Sequence, residues 1–193
     1  MAARAHSVDP RAERVRTRLR EAAFALAHER QVDEMTVGDI VDRASVSRQV
    51  FYQHFRDRDD AVATAFTVAF AAATADISGD ARARIHRLFD FAAEHRTMYR
   101  NIVPSAVTQR VVTAFRAELQ PACEEIAKHG MPVVSPIASL TPESVTRFLV
   151  GGFMEVLGSW MEDPDSTDLS GRVGAALDTV NALLGLTTSS KGL

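Results

Sequence analysis

Apolar residues recur at threes and fours along nearly the whole chain, and no stretch alternates as a half-buried strand would. The spacing predicts helices over 11–29, 37–43, 47–55, 57–75, 80–95, 97–102, 105–129, 142–162 and 166–186, an all-α class. In the first, Val15, Leu19, Ala22, Ala23 and Leu26 form one apolar stripe. Punctuation supports these limits. Thr36 with Asp39 three residues on reads as a capping box, and Ser47 as a second N-cap. Gly130 reads as a helix end, 130–142 as a loop, and Thr141-Pro142-Glu143 as a helix start. Residues 1–10 read as a disordered arm ending at Pro10. Ile77-Ser78-Gly79-Asp80 reads as the boundary between 11–56 with its connecting segment 57–79 and a second helical region over 80–193.

The two caps at Thr36 and Ser47 leave Ala44-Ser45-Val46 between two short helices, a space that admits only a turn. That is a helix-turn-helix for DNA. On the second helix Phe51 and Phe55 share one side with Ser47, and His54 lies on the flank. Gln49, Tyr52, Gln53 and Arg56 point the other way. A helix of nine residues spans roughly 13 Å, a length that fits one major groove. Arg48, Gln49 and Tyr52 are the side chains placed to meet DNA.

The string ASVSRQVFYQHFRDRDDA resembles the TetR-type repressor signature: a turn, a recognition helix ending in Tyr-x-His-Phe, and a charged helix start. The resemblance covers about residues 11–75, with the remainder similar only in helical layout. It implies that Thr36 caps the second helix against a phosphate and that Arg48, Gln49 and Val50, following the Ser47 cap, face the bases. Tyr52, His54 and Arg58 take the places of phosphate contacts. The chain has Ser45 where the family usually has Gly, Val50 where Thr is common, and Gln31 where Gly is common. Ser45 fits a turn that need not enter positive φ, and Val50 suits a thymine methyl.

The resemblance also implies an apolar effector among the middle helices of the second region. Phe89, Met98, Tyr99, Phe115, Leu119, Cys123, Phe148 and Phe153 are the candidate lining. Asn101 is a further polar group near it. On the helix at 142–162, Val145, Leu149, Phe153, Val156 and Trp160 form one stripe, and Phe148, Gly151, Gly152, Glu155 and Ser159 lie beside it. One stripe suffices for a monomer's core. Two adjacent glycines inside a helix cost about 1 kcal/mol each relative to alanine, so something uses the space they leave. In the last helix Leu169, Val173, Leu177, Val180 and Leu184 repeat at helical spacing. The resemblance implies a four-helix dimer interface from these two helices, with Gly151, Gly152, Glu155, Ser159, Val173, Val180 and Leu184 in it. A homodimer of this kind reads a palindromic operator in double-stranded DNA.

Composition changes this picture little: 46% hydrophobic and 24% charged residues over 193 are ordinary for one or two small globular domains. No apolar run approaches a membrane span, no h-region marks a signal peptide, and the single Cys123 forms no internal disulfide, so a cytoplasmic protein is expected. The net charge of −3 is polarised: over residues 1–20, Arg4, Arg11, Arg14, Arg16, Arg18 and Arg20 face only Asp9 and Glu13. Those arginines are candidate phosphate contacts. His86 and Asp90, at i and i+4, are the best metal pair, but no third ligand, HExxH, phosphate loop or nucleophile elbow accompanies them. His95-Arg96 reads as a helix-end pair suited to the C-terminal dipole. No catalysis, metal or cofactor is expected. The chain reads as a transcriptional repressor released from its operator by an effector. The alternative is a helical small-molecule binding or scaffold protein with weakened DNA affinity.

Overall fold

The computed structural model describes residues 9–75 and 79–186. Its regular elements are α1 (Pro10–Glu29), α2 (Val37–Ala44), α3 (Arg48–Tyr52), α4 (Arg58–Thr74) and α5 (Ala81–Glu94). They continue with α6 (Arg96–Ile102), α7 (Thr108–Val134), α8 (Pro142–Glu162) and α9 (Leu169–Leu183), with a 3-10 turn at Val32–Glu34. The described residues contain no strand. Most of the expected arm, with Arg4, lies outside the described residues, as do Ile77 and Ser78 of the expected boundary. Pro10 does not end an arm but opens α1, where its missing N–H is harmless and Asp9 accepts from Arg11 N.

Three helix limits differ from the sequence reading for identifiable reasons. Gly130 does not end α7, which runs on to Val134. A Cβ on Gly130 would stand 2.8 Å from Leu184 Cδ1, so the glycine provides room for the last helix to lie against α7. α9 begins at Leu169, later than expected, because Asp168 takes the N-cap and accepts from Gly171 N at 2.7 Å. The recognition segment is α-helical only over Arg48–Tyr52, with Gln53 still in the right-handed helical region as its cap.

The described residues gather into two compact units, one within 9–69 with 97–111, the other within 70–96 with 112–186. In the first, α1 packs on α2 through Leu19, Ala23, Leu26, Ile40 and Val41, all buried. Residues from α6 belong to the same unit. Asn101 Nδ2 donates to Ala27 O at 2.9 Å, and the Tyr99 ring meets Phe66 edge-on at 5.5 Å. Burial drives the Tyr99 hydroxyl well above its ordinary pKa, so it stays protonated.

The second unit holds an aromatic core. Phe115 stacks on Phe70 at 5.3 Å and meets Phe89 edge-on at 5.4 Å, while Phe89 also meets Phe153 at 6.2 Å. Here α9 packs on α5 and α8, and Arg82 pairs with Asp178 at 2.7 Å. Arg96 does serve a helix C-terminus, but that of α8. Its guanidinium lies 4.2 Å from the centre of the Trp160 ring and donates to Trp160 O at 3.0 Å and to the carbonyls of Asp163 and Ser166.

Candidate nucleic-acid interface

The interface is set by how two short helices are joined. Val46 N donates to Val41 O at 3.0 Å and Ser45 N to Asp42 O at 3.2 Å, the paired closure that terminates a helix through a left-handed residue. That residue is Ser45, at φ 51° and ψ 52°, so the turn does enter positive φ, contrary to the expectation from sequence. The family's usual glycine would sit there without strain. Arg18 of α1 holds the same corner by donating to Ala44 O and Ser45 O. It is therefore a strut of the motif.

The start of α2 has the expected reciprocal cap: Asp39 N donates to Thr36 Oγ1 at 3.1 Å and Thr36 N to Asp39 Oδ2 at 2.8 Å. Those bonds from Thr36, with Arg30 nearby, hold the Asp39 carboxyl below its ordinary pKa. Ser47 caps α3 by accepting from Val50 N at 3.3 Å. Phe51 and Phe55 are buried, which turns Arg48, Gln49 and Tyr52 outward. All three are exposed, Tyr52 by 59%. Val50 and His54 are half-buried at the margins. A Cβ on Gly38 would stand 3.0 Å from Arg48 Nη2 and 3.2 Å from Thr36 Oγ1, a tight fit that the Arg48 side chain would relieve only by shifting. The Arg48 guanidinium thus lies against the first turn of α2, next to Thr36.

Arg58 departs from its expected role. Its Nη1 donates to Asp33 O and Met35 O, both at 3.0 Å, its Nη2 pairs with Asp33 Oδ1 at 3.3 Å, and its Nε pairs with Asp59 at 2.8 Å. Every donor group of that guanidinium is engaged within the domain, so it positions α4 on the loop before α2. A neighbouring group went unread in the sequence. Asp60 accepts from Arg56 N at 3.2 Å and from Arg110 Nη1 at 3.1 Å. Partial burial pushes the Asp60 carboxyl up, but these donors outweigh it and the net shift is downward. The partner lies fifty positions along the chain, and no local signal marks it.

The residues expected to line an effector site separate. Phe89, Phe115, Leu119, Cys123 and Phe153 are buried in the second unit, while Met98 and Tyr99 are buried in the first. Burial raises the Cys123 thiol to about 12, an inert group at neutral pH. Phe148 is a correction: it is 74% exposed and lines no buried site. Of the residues expected at a dimer interface, Gly151, Gly152, Glu155 and Ser159 share one exposed flank of α8, and a Cβ on either glycine would meet no described atom within 4 Å. Val173 is fully buried within the chain, so it meets no partner, and Leu184 packs on Gly130. Val180 is half-buried. Among the described residues no group of three or more His, Cys, Asp or Glu is placed to hold a metal ion, and none joins His86 and Asp90. No described helix is long and apolar enough to cross a membrane.

Residues 19–63 match the family model of bacterial regulatory proteins, tetR family. Among solved structures the chain is similar to the dihydroxyacetone kinase operon activator DhaS, with a TM-score of 0.68 at 15% identity over 91% of this chain and 98% of that one. It is similar to the fatty acid degradation regulator FadR from Bacillus halodurans, with a TM-score of 0.58 at 15% identity over 90% and 96%. A TetR transcriptional regulator from Rhodococcus sp. RHA1 gives 0.56 at 18% identity over 87% and 96%. No curated protein sequence matches significantly. Regulators of this family are DNA-binding proteins and not enzymes. Residues 19–63, which hold the helix-turn-helix, thus match the tetR family of bacterial regulatory proteins, and the fold is shared with these solved regulators along most of the chain.

Proposed function

We propose that the chain is a sequence-specific regulator that binds a palindromic operator as a homodimer and, as a cytoplasmic repressor, releases it when a small-molecule effector binds. One observation carries the DNA reading. Arg48, Gln49 and Tyr52 project from a helix that Phe51 and Phe55 anchor from behind. In this reading residues 11–56 hold the DNA, 57–79 connect, and 80–193 bind effector and partner. A major-groove helix with a bidentate contact discriminates bases by about 1–3 kcal/mol. Titration of labelled DNA from the region upstream of the neighbouring genes tests it. Arg48→Ala and Gln49→Ala are expected to lose sequence preference, whereas Tyr52→Phe weakens all sequences alike. Unaltered affinity and preference in both alanine variants would remove the assignment.

The effector reading rests on the buried set Phe89, Phe115, Leu119, Cys123 and Phe153. A ligand entering there must part packed side chains, so it binds one conformation in preference to another. Coupling is reciprocal: a tenfold loss of operator affinity corresponds to about 1.4 kcal/mol, and operator must weaken effector binding by the same factor. Calorimetry with and without saturating operator measures this directly, and equal constants would exclude a given ligand as the signal. DhaS is described as an activator. If the bound site lies upstream of the promoter elements and not across them, the sign is that of an activator here too.

A further inference from the structure

We infer that the groove between α7 and α8 is a binding site for an extended organic diacid. The inference goes beyond the regulatory reading and stands without it. The groove has a volume of about 850 Å³, within the range of small-molecule sites. From α7 it is lined by one i, i+3/i+4 stripe running from Thr113 to Lys128, and from α8 by a second running from Pro142 to Val150. Ala117, Pro142 and Val150 supply apolar wall.

Its charge is what selects the ligand. Arg116, Lys128 and Arg147 all line it, and none of them takes part in any ion pair among the described residues. The two acids in the lining are turned to their own helices. Glu124 accepts from Gln120 Nε2 at 2.8 Å, one turn back on α7. Glu143 is held below its ordinary pKa first by its own backbone N–H, then by Thr141 at the start of α8, and also by the charge of Arg147. The groove therefore carries three cations against two acids, a net positive lining.

Their spacing suits an extended anion. Arg116 and Lys128 are twelve residues apart on one helix, roughly 18 Å along its axis. α8 contributes Arg147 to the same groove. A ligand with acidic groups at both ends of an extended body meets Arg116 at one end and Lys128 at the other, with Arg147 of α8 as a third cation in the lining. The planar guanidinium fork matches a carboxylate. The groove side of α8 lies about 80–180° around the helix from Phe148 and Gly152, with Arg147 at its edge, one turn before Gly151 of the flank assigned to the dimer.

Isothermal titration of the full-length protein with suberate, without DNA, tests the site independently of regulation. Suberate is expected to bind at least tenfold more tightly than the uncharged suberamide and more tightly than the single-ended octanoate. Arg116→Gln and Arg147→Gln are each expected to weaken suberate at least fivefold, with Arg87→Gln, exposed on α5 outside the groove, unchanged. Suberate heat that does not saturate, suberamide binding as tightly as suberate, or unaltered affinity in both groove variants would overturn the assignment. So would sedimentation showing that the two groove variants lose self-association, because the groove would then be a subunit contact.

Discussion

Two side chains in the helix-turn-helix show how a single position sets its own energetics. Ser45 holds a left-handed conformation that costs an ordinary residue about 1–2 kcal/mol. Glycine avoids that cost but loses about 0.4–1 kcal/mol through its freer unfolded chain. Ser45→Gly is thus expected to stabilise the N-terminal unit by about 1 kcal/mol, read as a higher urea midpoint at unchanged slope. Arg58 tests a different distinction. A phosphate contact would, when removed, flatten the dependence of operator binding on salt by about one charge. A strut, when removed, leaves the partly buried carbonyl of Met35 without its donor, at about 1–3 kcal/mol. Arg58→Gln is expected to lower stability by that amount and to leave the salt slope unchanged. A flattened slope with wild-type stability would restore the phosphate role.

At the scale of the element, α7 shows why a glycine does not always end a helix. Gly130 inside it costs about 1 kcal/mol relative to alanine. The structure sets against that cost the close approach of Leu184, which a side chain at 130 would displace. Gly130→Leu is expected to destabilise the protein by about 1–3 kcal/mol through overpacking. The double variant with Leu184→Ala, which returns the space, is expected to recover most of the loss in thermal denaturation. If the single variant is neutral, the two helices are not held at this distance.

At the scale of the whole molecule, one flank of α8 has no partner among the described residues. Phe148 is 74% exposed, and a Cβ on Gly151 or Gly152 meets nothing within 4 Å. Helix interiors retain adjacent glycines against their propensity where another body comes close. In the proposed dimer that body is the same flank of a second copy, which a two-fold axis makes self-complementary. Gly152→Leu is expected to shift sedimentation velocity profiles from dimer to monomer while raising the stability of the isolated chain. A wild-type chain that sediments as a monomer at micromolar concentration would remove the dimer and, with it, the paired half-sites.

The sequence by itself determined the all-α class, the helix-turn-helix and its outward residues. Those properties depend on caps a few residues apart and on the 3.6-residue period of Phe51 and Phe55, all of which are local. The same holds for the Thr36–Asp39 cap and the start of α8 at Pro142. Tertiary structure alone decided which cations act within the fold. Arg18, Arg58 and Arg96 each extend a long side chain to backbone carbonyls at least 23 positions away. It also decided that Gly130 is a contact and Val173 core, and that residues 97–111 belong with the N-terminal unit. Such choices are made by groups brought together only after the helices have packed, and nothing in the spacing of neighbouring residues encodes them.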